Sequence, residues 1–147
     1  MMISTKGRYA LRMMLDLAIY GQDSYIPLKD IAERQSVSIK YLEQIVSSLS
    51  RAGFVRSVRG TGGGYMLAKK PEEYTVGMIL RLTEGSLAPV SCLEYAENTC
   101  PRAEDCMTLG VWEKLYAAIN GVVDGITLAD IIKEKTDPNA SGDMYCI

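Results

Sequence analysis

The chain has 147 residues, enough for one cored domain with an appended element, and its 48% hydrophobic and 23% charged content excludes a disordered polymer. Its formal net charge of −2 hides an asymmetry: residues 1–70 hold eleven Lys and Arg against five Asp and Glu, and residues 71–147 hold five against thirteen. A basic first half and an acidic second half suit one module facing nucleic-acid phosphates and one facing away, although a chance partition of charges gives the same pattern.

The chain holds no histidine. With the commonest general base missing, and no nucleophile elbow or carboxylate pair in view, the sequence does not read as an enzyme. The N-terminal stretch meets a charge at Lys6 and shows no signal-peptide pattern, and no uncharged apolar run approaches the roughly 18 residues of a spanning helix. The expectation is a cytoplasmic protein with no membrane contact, in a compartment where disulfides are uncommon.

In chain order, residues 5–20 are apolar nearly all round, which predicts a buried helix with Thr5 as N-cap and Gly21 as a terminating C′ glycine. Pro27 precedes a short helix from Leu28 to Gln35 that turns Ile31 and Ala32 inward. Ser38 is the expected N-cap of the next helix, whose inward stripe is Leu42, Ile45, Val46 and Leu49, and Gly53 stops it. Phe54–Val58 and Tyr65–Ala68 read as strands of a hairpin around Gly60–Gly64. After Pro71 a helix carrying Val76, Ile79, Leu80 and Leu82 ends at Gly85. A loop covers residues 86–106. From Met107 a long helix carries Leu109, Trp112, Leu115, Tyr116, Ile119, Val122 and Val123 at helical spacing, up to a break at Gly125. Thr127 caps a last short helix, and residues 137–147 read as a flexible tail.

Helix, turn, helix and a glycine-tipped hairpin make a winged helix-turn-helix, so the expected fold is mainly α with a small β-wing. Its recognition helix presents Ser38, Lys40, Tyr41, Glu43 and Gln44 opposite the apolar stripe. Gln44 suits a base edge, and Ser38 and Lys40 suit phosphates. Arg59 at the wing tip suits a narrow minor groove, and Gly60, Gly62, Gly63 and Gly64 let the backbone approach the sugar-phosphate chain. Lys6 is a further candidate contact. The plain alternative is a solvated helix face and a flexible hairpin turn. The glycines lack the Lys-Ser/Thr ending of a P-loop and the spacing of a dinucleotide fingerprint.

Ser4-Thr-Lys-Gly-Arg-Tyr-Ala, Tyr41-Leu-Glu-Gln and Val58-Arg-Gly-Thr-Gly-Gly-Gly-Tyr together resemble the signature of the Rrf-two (Rrf2) family of bacterial transcription regulators, over about Ile3 to Ile132. The resemblance implies a homodimeric repressor that reads a pseudo-palindromic double-stranded DNA operator. It divides the chain into a DNA-binding domain at 1–85, a cysteine-containing sensor loop at 86–106, a dimerisation helix with the terminal helix at 107–136, and the tail.

Cys92, Cys100, Cys106 and Cys146 all lie in the acidic half, the first three in one loop. Clustered thiols without histidine favour iron–sulphur or zinc over harder metals, yet neither Cys-x-x-Cys pairs nor a ferredoxin spacing is present. On spacing alone, metal ligands and free thiols stand evenly. The family's IscR-like members hold a 2Fe–2S cluster with three cysteines and a histidine, and the resemblance implies that role for Cys92, Cys100 and Cys106. Leu109 stands in the histidine's place, so the fourth ligand stays open among Glu94, Glu97, Glu104, Asp105, Cys146 and an exogenous thiol. NsrR-like members use an acidic residue near the start of the first helix, where this chain has Arg8. The ending Met144-Tyr-Cys-Ile resembles CymR-like members, which implies an alternative regulator of cysteine metabolism governed by a cysteine-biosynthesis enzyme or by thiol oxidation.

Overall fold

The fold is assembled around one apolar helix. In the computed structural model, which describes residues 2–139, helix α1 (Thr5–Tyr20) buries Ala10, Met13, Met14 and Leu17 at the centre of the molecule. Around it stand α2 (Leu28–Gln35), α3 (Ile39–Arg51), the hairpin β1 (Val55–Val58) and β2 (Gly64–Leu67), and α4 (Val76–Glu84). Helix α5 (Leu109–Gly125) follows the long loop, and α6 (Leu128–Thr136) closes the described chain. The core joins α1 to Ile31, to Leu42, Ile45, Val46 and Leu49 of α3, to Val55, Tyr74 and Ile79, and to Leu128 of α6.

The α3 stripe expected from sequence is buried in full, because its i, i+3, i+4, i+7 spacing places four aliphatic side chains on one face. Ser38 caps the helix: its hydroxyl accepts the Tyr41 N–H at 3.1 Å. The cap of α1 differs from expectation. Ser4, not Thr5, holds the position, accepting the Gly7 N–H at 3.2 Å, and Thr5 is the first helical residue. Ser4 is fixed there by a partner distant in sequence, Glu84, which local reading does not reveal. Gly21 ends α1 with near-helical backbone at φ −91°, rather than as a left-handed C′ residue.

The wing is a two-stranded antiparallel sheet, with Val55 opposite Leu67 and Val58 opposite Gly64. Buried Tyr74 clamps its base, donating its hydroxyl to the Phe54 carbonyl at 2.8 Å and accepting the Lys69 N–H at 3.1 Å. Burial pushes the Tyr74 phenol above its ordinary pKa.

Helix α5 stands out from this body. None of its residues is buried, and Val111 and Val122 are 58% and 60% exposed. Arg81 of α4 anchors it with a fork onto Asp124, at 2.6 and 2.9 Å, and donates to the Asn120 side-chain oxygen at 2.7 Å. That guanidinium holds the Asp124 carboxyl below the usual carboxylate range. The chain then returns: Val76 N–H donates to Ile126 O at 2.9 Å and Leu128 N–H to Tyr74 O at 3.0 Å, which seats α6 against α1.

A buried charge locks α2 to α1. Asp16, with a fully buried side chain, accepts the Arg34 guanidinium at 3.0 and 2.7 Å and the Gln35 amide at 2.9 Å. Arg12 donates to Gln35 Oε1 at 2.8 Å, and the Arg34 guanidinium lies 4.1 Å from the Tyr20 ring centroid. Removing one partner leaves a buried carboxylate uncompensated. The Arg34 side chain is 30% exposed, so solvent relieves part of that cost. Arg34→Ala should therefore lower unfolding free energy by about 2–3 kcal/mol in urea melts, below the 3–5 of fully buried pairs. A midpoint equal to the parent's would show that Asp16 is not held by this pair.

Candidate nucleic-acid interface and cysteine loop

Helix α3 can offer its polar side chains outward only because its aliphatic stripe is anchored and α2 holds it at a fixed turn. Ser36 makes that turn in the left-handed region (φ 54°), and Val37 N–H bonds to Ala32 O at 3.1 Å. Lys40, Glu43 and Gln44 are exposed side by side, and their side chains make no hydrogen bond or ion pair with another described residue. Ser38 is also exposed, with its hydroxyl engaged in the cap. Tyr41 is half-buried, its ring edge-on to Tyr9 at a centroid distance of 5.9 Å, so much of it faces the body of the protein. Ser47 and Arg51, exposed on the same i+3/i+4 stripe, extend this face beyond the residues singled out from sequence. Continuing the spacing from Gln44 would have found them.

The wing tip turns at Arg59–Gly63, closed by Gly63 N–H to Gly60 O at 2.9 Å. Arg59 is exposed, and its side chain likewise has no described partner. Gly60 and Gly62 have positive φ (95° and 76°) with open space around them. Gly64 serves the fold: at φ 154°, a Cβ there would collide with the Ile26 carbonyl, whose strand-like segment exchanges two 2.8 Å hydrogen bonds with Tyr65. Lys6 lies half-buried in the first turn of α1.

The structure does not gather the three loop cysteines into one cluster. Cys92 sits on a short 3-10 turn, Cys100 follows an Asn98 side-chain bond to its own N–H at 3.0 Å, and Cys106 precedes α5. All three are free, partly exposed thiols. Among the described residues, no three Cys, Asp or Glu side chains converge at metal-binding separation. The donor chemistry nevertheless fits a soft, thiophilic group, since three thiols share one loop almost free of regular structure. Thr108 modifies one of them: its hydroxyl, 3.5 Å from Cys106 Sγ, and its backbone amide hold that thiol below its ordinary pKa. Glu94, Glu97, Glu104 and Asp105 are exposed, Leu109 opens α5, and Cys146 lies outside the described residues. So does the CymR-like ending.

A helix-turn-helix with an outward polar stripe, beside a glycine-tipped wing bearing a free arginine, defines a winged-helix DNA-binding regulator. The model of the Rrf2 family, described as iron-dependent transcriptional regulators, matches residues 3–134, and the chain belongs to that family. It is 42% identical over 135 residues to the HTH-type transcriptional regulator IscR of Aliivibrio salmonicida, covering 92% of this chain and 79% of that protein. Its fold is similar to that of T. potens IscR, with a TM-score of 0.73 and 42% identity over 92% of this chain and 88% of that one. It is equally similar to CymR, the global cysteine regulator of B. subtilis, with a TM-score of 0.75 and 38% identity over 93% and 99% of the two chains. These relatives are transcription regulators, not enzymes. No helix among the described residues is long and apolar enough to cross a membrane.

If Arg59 enters a minor groove, Arg59→Ala should weaken operator binding by about 1–3 kcal/mol, and the slope of log K against log salt should flatten by about one unit. Fluorescence anisotropy across a salt series measures both. Unchanged affinity and slope would remove the wing tip from the interface.

Proposed function

We propose that the protein is a cytoplasmic, homodimeric repressor that reads a pseudo-palindromic operator and senses iron–sulphur or cysteine status through its 86–106 loop. Lys40, Glu43 and Gln44 face a major groove, with Ser38 and Tyr41 at the helix start. Arg59, on the Gly60–Gly64 turn, reaches the adjacent groove, and Lys6 meets phosphate. The sensor reading rests on one observation: three free thiols lie in the single loop joining the DNA-reading body to α5. In this reading Cys92, Cys100 and Cys106 hold a 2Fe–2S cluster, with the fourth position open to a carboxylate, to Cys146 or to an exogenous thiol. When bound, such a group supplies one-electron redox chemistry. The chain's own part is to bring the thiols together and to translate loop order into the placement of its DNA-facing helices. The cluster must favour one DNA-binding state over the other for this to regulate anything.

Anaerobic reconstitution with iron and sulphide, followed by metal analysis per dimer, tests the assignment. Replacing any one of Cys92, Cys100 and Cys106 with Ser should abolish loading or reduce it severely, with the visible absorbance lost in parallel. Full loading of the triple variant would refute it. A second reading is favoured by the similarity to CymR and by the separation of the thiols in the structure. It has a regulator of cysteine metabolism controlled by a cysteine-synthesis enzyme or by thiol oxidation, and it predicts a colourless protein after the same reconstitution.

The dimer is assigned to α5. Its exposed Val111, Leu115 and Val122 continue into an apolar groove lined by Ile119, Val123 and Leu80, which a second copy would cover. Ile119→Glu would bury an unpaired charge there. Sedimentation should then show monomer or aggregate, and a stable dimer at micromolar concentration would place the interface elsewhere.

A further inference from the structure

The root of the 86–106 loop is tied to the start of α1 by two independent contacts. Glu84, the last residue of α4, accepts both the Ser4 N–H at 3.0 Å and the Ser4 hydroxyl at 2.6 Å. Its carboxylate therefore sits at the N-terminus of α1, where the helix dipole favours negative charge. Three residues further on, Leu87 is 1% exposed and lines one apolar groove with Ile3, Leu80, Ile119 and Val122. The loop root thus meets the N-terminal segment through Glu84 and borders Ile3, α4 and α5 around one groove.

Gly7 points to the same joint. A glycine inside a helix costs about 0.5–1 kcal/mol relative to alanine, so its presence asks for a packing reason. Gly7 is buried in α1, and a Cβ built on it would collide with Glu84 Oε1 and lie 3.3 Å from Ile3 Cγ2. The missing side chain makes room for the Glu84 carboxylate. Between Ser4 and this glycine lies Lys6, with Arg8 exposed just beyond.

We infer that Glu84 and Leu87 form a joint through which the 86–106 loop positions the first turn of α1, and with it the cations Lys6 and Arg8. Glu84 is a positioning residue: it acts on the proposed phosphate contact Lys6 and its neighbour Arg8 by holding the helix end that carries them. The inference rests on the reading of that loop as the sensor, and it gives the loop a route to the DNA-facing side. A change in the loop that shifts its root pulls on Ser4 through Glu84 and on Ile3 through Leu87.

The test perturbs the loop without any metal. In a full-length chain carrying Cys146→Ser, iodoacetamide alkylates Cys92, Cys100 and Cys106, and hydrogen exchange is read at the amides of residues 4–8, with those of 42–49 as internal reference. Alkylation should change exchange at 4–8 by about fivefold or more, the low end of coupling between linked sites. Glu84→Ala should remove that response, and Glu84→Gln, which keeps an acceptor oxygen, should retain it. Gly7→Ala should also remove it by displacing the carboxylate, although alanine is the better helix former. Reference amides that remain protected show that each variant is folded. A response that persists in Glu84→Ala or Gly7→Ala, or that never arises in the parent, overturns the joint. Iron loading of unalkylated samples tests the sensor reading separately, so either can fail alone.

Discussion

The orientation of the helix-turn-helix depends on one buried carboxylate. Asp16 lies inside α1, and the groups that satisfy it, Arg34 and Gln35, come from the last turn of α2. A hydrophobic contact at that point would tolerate sliding by a fraction of a helical turn. A guanidinium fork on a desolvated carboxylate does not, because any slip leaves charge unpaired in a medium of low dielectric. The net stability such a pair contributes is small once desolvation is counted, but its directionality is large. With α2 fixed, the tight turn at Ser36–Ser38 fixes α3, whose aliphatic stripe completes the core. Outward presentation of Lys40, Glu43 and Gln44 is a consequence of that chain of constraints.

What the sequence disclosed was what short-range chemistry decides. The α3 stripe, its Ser38 cap, the Thr127–Asp130 capping box and the hairpin all follow from residues within a few positions of one another, and all occur where periodicity and cap chemistry put them. Non-local pairings were not legible. Asp16 reads as one polar residue in an apolar helix until Arg34 folds onto it. Tyr74 reads as a residue between helices until its hydroxyl bridges Phe54 and Lys69. Ser4, which takes the cap in place of Thr5, is also held by Glu84, eighty residues away. In the candidate site the same division holds. Arg59 and Gln44 are exposed by local geometry alone, whereas the half-burial of Tyr41 depends on Tyr9, and the need for glycine at 64 depends on Ile26. The cysteines show the limit most plainly, since nearness in sequence did not bring three thiols to one point.

The attachment of α5 bears on how two copies would present their wings. The helix leaves the body after a long loop, but it is not loosely hung. Arg81 grips Asp124 and Asn120 near its C-terminal end, and the paired segments at Thr75 and Thr127 return the chain to the core just beyond. Its start, by contrast, grows directly from the cysteine loop. One end is therefore fixed to the winged-helix body and the other to the segment with least regular structure. A helix of 17 residues is about 25 Å long, so a small change of angle at its loop-attached end would move a partner packed along it by several ångströms. Half-sites on DNA are spaced by the helical repeat and tolerate little error in the separation of two recognition helices. If two copies pair along α5 and the 86–106 loop is the sensor, as proposed, an α5 pair anchored at one end and continuous with that loop at the other would turn modest ordering of residues 86–106 into a change of half-site fit, with no rearrangement inside the winged-helix body.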